Sequence, residues 1–185
     1  MKAELTLENL QQVRSICKVA ERPFNEDEST MYYIQLYVED GRPIWLTNVP
    51  YSSLWIMRNF IQAITGFIFK KDGGDWVRSD EKLPIVVASE THQPLTLGNL
   101  QQVHELHDSS SEEKGFALFL RLEKGGRLAL NSTSTATADN PERRLFYETE
   151  YSWVLTLIRH ITGKEFKMKY AHDPYNCIWQ AQEAE

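Results

Sequence analysis

Cysteine is scarce: only Cys17 and Cys177 occur in 185 residues, far apart and without metal-ligand spacing. Neither a disulfide framework nor a cysteine-rich zinc module can be built from them. Two reduced thiols in a cytoplasmic protein are expected, with a single disulfide spanning the chain as the alternative. Long apolar runs are missing too. The most apolar stretch, residues 54–69, is interrupted by Arg58, Asn59, Gln62 and Gly66 and is too short to span a bilayer. The opening Met1-Lys2-Ala3-Glu4 leads into polar sequence with no apolar h-region, which argues against a cleaved signal peptide. The nine glycines form no phosphate-cradling Gly-x-x-x-x-Gly-Lys, no dinucleotide-type cluster and no Gly-x-Ser-x-Gly elbow. Positive charge is in deficit, with 20 Lys and Arg against 26 Asp and Glu, a formal charge of -6. Such a chain repels phosphate backbones at long range, so nucleic acid is disfavoured as a partner unless basic residues cluster locally.

What is present is enough for a core: 42% of residues are hydrophobic and 11% aromatic. The dominant feature is a repeat. Leu5-Thr6-Leu7-Glu8-Asn9-Leu10-Gln11-Gln12-Val13 matches Leu95-Thr96-Leu97-Gly98-Asn99-Leu100-Gln101-Gln102-Val103 at eight of nine positions. Further on, Tyr32, Ile34, Leu36 and Val38 correspond to Phe116, Leu118, Leu120 and Leu122, alternating with the period of a half-buried strand. Each run meets a turn, Asp40-Gly41 or Lys124-Gly125-Gly126, before alternation resumes at Ile44 and Leu46 or Leu128 and Leu130. These patterns predict two hairpins. For Val38 to lie beside Ile44 and Leu122 beside Leu128, the chain must fold about Gly41 and Gly125. That requires an odd-length loop, most simply three residues with glycine at positive φ.

A helix is expected next in each copy. Leu54, Met57, Ile61 and Ile64 recur at helical spacing after Ser52 or Ser53 as N-cap, and Thr65-Gly66 closes the segment. The second copy has Tyr151, Val154, Ile158 and Ile161, closed by Thr162-Gly163. Phe69-Lys70 and Phe166-Lys167 follow at the same offset and mark another short strand or an extended segment. Within residues 5–17 and 95–107, Thr6 as N-cap with Leu7, Leu10, Val13 and Cys17 on one face favours a helix, although residues 13–19 would also suit a strand. The second copy is shorter before its hairpin and carries an insertion at residues 131–144, rich in Ser, Thr and Ala, that is expected to be a mobile loop. Lys71-Asp72-Gly73-Gly74-Asp75 reads as a linker, dividing the chain into units 1–75 and 76–185. Leu83-Pro84-Ile85-Val86-Val87-Ala88 reads as a strand without a counterpart before Leu5. In the first copy, residues 176–179 could fill its place, which would merge the copies into one structure. The fold class expected is α+β, a tandem duplication of a small antiparallel-sheet-plus-helix unit with pseudo-two-fold symmetry.

Candidate sites are few. His104 and His107 would share a helix face, but no third ligand accompanies them, so neither a metal nor any other cofactor is expected. The acidic runs Glu26-Asp27-Glu28 and Glu112-Glu113 sit among Ser and Thr in loops and read as solvated. Tyr33, Tyr37 and Trp45 fall on the hairpin face opposite Ile34, Leu36 and Ile44 and form the expected binding surface. An aromatic sheet face can stack single-stranded nucleic acid. It also suits a protein contact, and the second copy places Ala117, Phe119, Arg121 and Ala129 there instead.

The hairpin and helix of each copy, residues 32–46 with 54–66 and 116–130 with 151–163, resemble the C-terminal half of pleckstrin-homology-like domains over less than half the chain. That resemblance implies an adaptor for lipids, peptides or proteins, and a strand at residues 13–19. In element order alone the unit is also similar to Pur-type and Whirly-type single-stranded nucleic acid binders. The expectation is a non-catalytic protein-interaction adaptor, scaffold or inhibitor with another protein as partner. Single-stranded nucleic acid binding is the alternative.

Overall fold

In the computed structural model, which describes residues 1–21, 31–46, 49–84, 93–108, 118–129, 142–171 and 177–182, the chain divides into two compact units, Met1–Leu83 and Pro84–Glu185. Local chemistry starts the first. Thr6 is extended, and its hydroxyl accepts the Asn9 N–H at 3.1 Å, capping α1 (Leu7–Gln11). Gln12 ends this single turn, its carbonyl accepting the Glu39 N–H at 3.0 Å. The chain then passes directly into β1 (Val13–Glu21).

The helix expected over residues 5–17 is thus corrected to one helical turn followed by a strand. The reason is a bulge. Leu10, Val13 and Ile16 are all buried at a spacing of three. The register of β1 against β2 (Met31–Val38) shifts between Val13 and Ser15. The extra residue lets Val13 and Ile16 both face the core, which strict alternation forbids. A bulged strand here imitates a helical period.

The first hairpin has the loop length and the positive-φ glycine expected of it. Glu39, Asp40 and Gly41 form the loop, Gly41 has φ 81°, and the Val38 N–H donates to the Arg42 carbonyl at 3.0 Å. Pairing is centred one residue earlier than expected, however. Ile44 of β3 (Pro43–Ile44) faces Leu36 and not Val38. A 3-10 turn, Tyr51–Ser53, leads into α2 (Leu54–Thr65), which Gly66 closes in the left-handed region at φ 74°. Ser53 occupies the N-cap position but makes no capping side-chain bond. Leu54, Met57, Phe60, Ile61 and Ile64 are buried, each fully buried side chain of this size contributing about 1.5–3 kcal/mol. Gln62 is buried as well, and its Oε1 accepts the Phe69 N–H at 2.9 Å. That bond ties the helix to β4 (Phe67–Asp72), the strand expected at Phe69-Lys70. The segment read as a linker is a tight turn: Asp72 pairs with Asp75, Gly73 has φ 59°, and β5 (Asp75–Lys82) returns to pair with both β4 and β1. The first sheet therefore has the order β3-β2-β1-β5-β4, and the unit runs on to Leu83.

The second unit repeats this order: α3 (Leu97–Leu100), β6 (Val103–Asp108), β7 (Leu118–Leu122), β8 (Arg127–Ala129), α4 (Glu142–Thr162), β9 (Phe166–Ala171) and β10 (Cys177–Ala181). Its sheet runs β8-β7-β6-β10-β9. Specific bonds recur with it. Thr96 caps Asn99 at 3.2 Å, the Glu123 N–H donates to the Gln102 carbonyl at 3.0 Å, and the register shift falls between Val103 and Glu105. Leu120 faces Leu128, so this hairpin is also centred one residue early, on Lys124. Of residues 176–179, the first lies outside the described residues and the rest do not complete the first unit, because β10 lies between β6 and β9, the position β5 holds in the first sheet. Leu83 and Pro84 are not strand, and residues 85–88 of that expected strand lie outside the described residues. Of the insertion, residues 142–144 belong to α4; residues 131–141 and both acidic runs lie outside. Among the described residues no helix is long and apolar enough to cross a membrane.

The caps give a direct check. Thr6→Ala and Thr96→Ala should each lower stability by about 1 kcal/mol in urea denaturation. Asn9 and Asn99 amide exchange should accelerate in the matching variant only.

Candidate functional site

The bulge that buries Ile16 also turns Lys18 onto the helix-bearing face of the first sheet. Trp76 of β5 pairs with Ile16 and shares that face. Past the end of α2 the apolar layer is replaced by aromatic rings and cations. The Lys18 Nζ lies 3.8 Å from the Tyr32 ring centroid and 4.8 Å from that of Tyr51. In the first turn of the helix, Trp55 meets Trp76 with centroids 5.9 Å apart and planes tilted by 59°. The Arg58 guanidinium carbon sits 4.0 Å from the Trp76 centroid and 5.3 Å from that of Trp55. Such cation–π contacts contribute about 0.5–1 kcal/mol at the surface and about 2 kcal/mol when desolvated.

Exposure singles this surface out. Trp55 is 61% exposed and Tyr32 44%, far beyond what rings of this size show when they serve a core. The Arg58 Nε is shielded from water and finds no hydrogen-bond partner among the described residues. Burial lowers the Arg58 pKa from its ordinary value, yet a guanidinium keeps its charge. The second unit does not repeat the arrangement. Trp179 faces Leu106 as Trp76 faces Ile16. However, the aligned helix positions of Trp55 and Arg58 hold Ser152 and Leu155, and Asp108 aligns with Lys18.

The structure places the sequence-predicted residues elsewhere. Tyr33 and Tyr37 are half-buried on the outer face of β2, opposite the buried Ile34, Leu36 and Val38. Trp45, one residue beyond β3, is 56% exposed, with the Lys2 Nζ 3.3 Å from its ring centroid. The cluster around Trp55 was not anticipated. A signal existed, since Tyr51, Trp55 and Arg58 follow helical spacing on a side other than that of Leu54, Met57 and Ile61. What the sequence alone hides is Trp76, brought there by long-range pairing of β5 with β1.

The other titratable clusters have a structural character. Cys17 shares the outer face with Ser15, its thiol donating to the Ser15 Oγ at 3.5 Å. Burial first, and then the Asp75 carboxylate, push the thiol pKa up against the opposing Ser15 bond, which makes it a poor nucleophile. In the second unit the equivalent places hold His107 and Glu105, with Nε2 and Oε2 2.7 Å apart and the imidazole stacked on Phe119 at 5.2 Å. His104 and His107 lie on β6 and not on a helix, and both approach the Glu105 carboxylate, with Nε2 atoms at 3.9 Å and 2.7 Å from its oxygens. Among the described residues no group of three or more His, Cys, Asp or Glu is placed to hold a metal ion.

The chain matches no protein-family model, and comparisons with curated proteins and with solved structures found no similar protein.

Glu105 supplies a pH test. Burial alone would raise its carboxyl pKa. The His107 hydrogen bond, together with the charges of His107, His104 and Lys169, outweighs burial and holds it below the usual range. A value lower in the folded state than in the unfolded one means stability that is present above pH 4.5 and lost as the pH falls through the folded value. Urea midpoints should therefore drop more steeply on the acid side for the native chain than for Glu105→Gln. Parallel acid limbs would show that the pair contributes nothing.

Proposed function

We propose that this chain is a non-catalytic binding protein, a protein-interaction adaptor, scaffold or inhibitor, built from two copies of one α+β unit that arose by tandem duplication. The repeated nine-residue block and the matching strand orders support the duplication. The carrying observation for binding is the exposed surface of Tyr32, Tyr51, Trp55 and Trp76 with Lys18 and Arg58. Tryptophan, tyrosine and arginine dominate the energetics of protein contacts because they combine large rigid apolar area with a directed polar group. Trp45, with Tyr33 and Tyr37, adds a second aromatic area on the same unit. The pleckstrin-homology-like resemblance favours an adaptor role, and cytoplasmic residence fits two cysteines not joined in a disulfide.

Single-stranded nucleic acid binding is the second reading, favoured by the interleaving of Lys18 and Arg58 with the rings. The formal charge of -6 weighs against it.

Photo-crosslinking in the native host separates the two. Benzoylphenylalanine in place of Asn59, one turn beyond Trp55, should capture a discrete protein, whereas the same label at Lys124 should not. Capture of nucleic acid at position 59 would reverse the order of the two readings. Equal capture from both positions would remove the first unit's surface as the binding site.

A further inference from the structure

Two rings of this surface, Trp76 and Tyr32, already carry a cation, while Trp55 stays 61% exposed. Arg58 lies over Trp76 and flanks Trp55, while Lys18 lies over Tyr32 and beside Tyr51. A platform that stacks bases needs bare ring faces. What this surface turns outward is positive charge framed by ring edges.

Among the described residues the ion pairs join Arg42 to Asp40, Lys70 to Glu81, Arg78 to Glu39, His104 and His107 to Glu105, Arg159 to Glu165 and Lys164 to Glu123; none involves Lys18 or Arg58. Asp75, the nearby acid, accepts the Lys18 backbone N–H at 3.4 Å and faces the Cys17 thiol. The first turn of α2 has no acidic residue, so the positive end of its dipole adds to the same field. The shielded Arg58 Nε without an acceptor carries a desolvation cost that an incoming oxygen would relieve. The two indoles flank the half-buried guanidinium, whose planar fork can bind a carboxylate through two parallel hydrogen bonds.

We infer that the first unit binds an acidic segment of a partner protein, with an Asp or Glu carboxylate on Arg58, a second carboxylate near Lys18 and an apolar residue covering Trp55. This rests on the reading of the first unit as a binding module. The chain's net charge does not oppose it, because charges more than about 8 Å away are largely screened at physiological salt. A nucleic acid carries a charge at every nucleotide and is penalised along its whole length.

The test is a titration of the full chain followed through the Trp55 and Trp76 indole N–H resonances. The probes are an acetylated Glu-Leu-Glu-Leu-Glu-Leu peptide, its Gln-Leu counterpart and a short oligothymidylate. The acidic peptide should move both resonances, and the neutral peptide should bind about tenfold more weakly, as expected for loss of a charge-assisted hydrogen bond. Arg58→Gln should weaken the acidic peptide by a similar factor and Arg58→Lys by less, with Ile16 and Ile61 methyl shifts reporting that the fold is kept. Equal binding of the two peptides, unchanged by Arg58→Gln, overturns the acidic chemistry and leaves the binding module standing. Tighter binding of oligothymidylate overturns the inference in favour of nucleic acid. Resonances that none of the probes moves overturn both the inference and the module.

Discussion

The bulge at the start of β1 decides which face each later residue of that strand occupies. With the shift between Val13 and Ser15, Val13 and Ile16 both enter the core, Lys18 joins the helix-bearing face, and Ser15 and Cys17 turn away from it. A slip of one residue would exchange the two sets, trading the buried Ile16 for Ser15 and Cys17. Because β1 is the central strand, its register also places Trp76 opposite Ile16 and so under Trp55. The core and the exposed cluster are consequences of one backbone irregularity. The same shift at Val103 and Glu105 gives the second unit its core from Val103 and Leu106 and puts Glu105 and His107 on the outer face.

What recurs between the units is the frame, sometimes with different chemistry in the same place. Gln62 accepts the Phe69 N–H, and in the second unit Arg159 donates to the Phe166 carbonyl at 3.0 Å. Either bond fastens the end of the helix to the next strand, so the position tolerates a change of donor for acceptor. The Thr65 and Thr162 hydroxyls return to Ile61 and Ile158 carbonyls at 2.8 and 2.7 Å, just before glycines in the left-handed region. The aromatic–cation cluster does not recur. Serine and leucine at the places of Trp55 and Arg58 leave the second helix without it, and the second unit has a different outer face with its His–Glu pair.

Local features were legible in the sequence because they are written in adjacent residues. The Ile-Thr-Gly helix ends, the glycine-bearing hairpin loops and the threonine caps each depend on a few neighbours, and each is found. Three features were not legible. The spacing of Leu10, Val13 and Ile16 has the period of a helix, and only cross-strand pairing reveals a bulge. Gly73-Gly74 suits a linker as well as a two-residue turn; what distinguishes them is that β5 returns to β1, a pairing between distant parts of the chain. The cluster around Trp55 was hidden for the same reason. Alternation along β2 finds Tyr33 and Tyr37 from β2 alone, whereas the Trp55 cluster needs a helix, a 3-10 turn and three strands to come together.

The central claim is that the bulged register carries Lys18 and Arg58 onto aromatic rings. Ring-current shifts in a proton NMR spectrum of the native chain test it without a ligand. The account predicts Lys18 ε-methylene and Arg58 δ-methylene protons well upfield of their random-coil positions, the first released by Tyr32→Ala and the second by Trp76→Ala. Random-coil shifts for both side chains, unaltered in either variant, would contradict it.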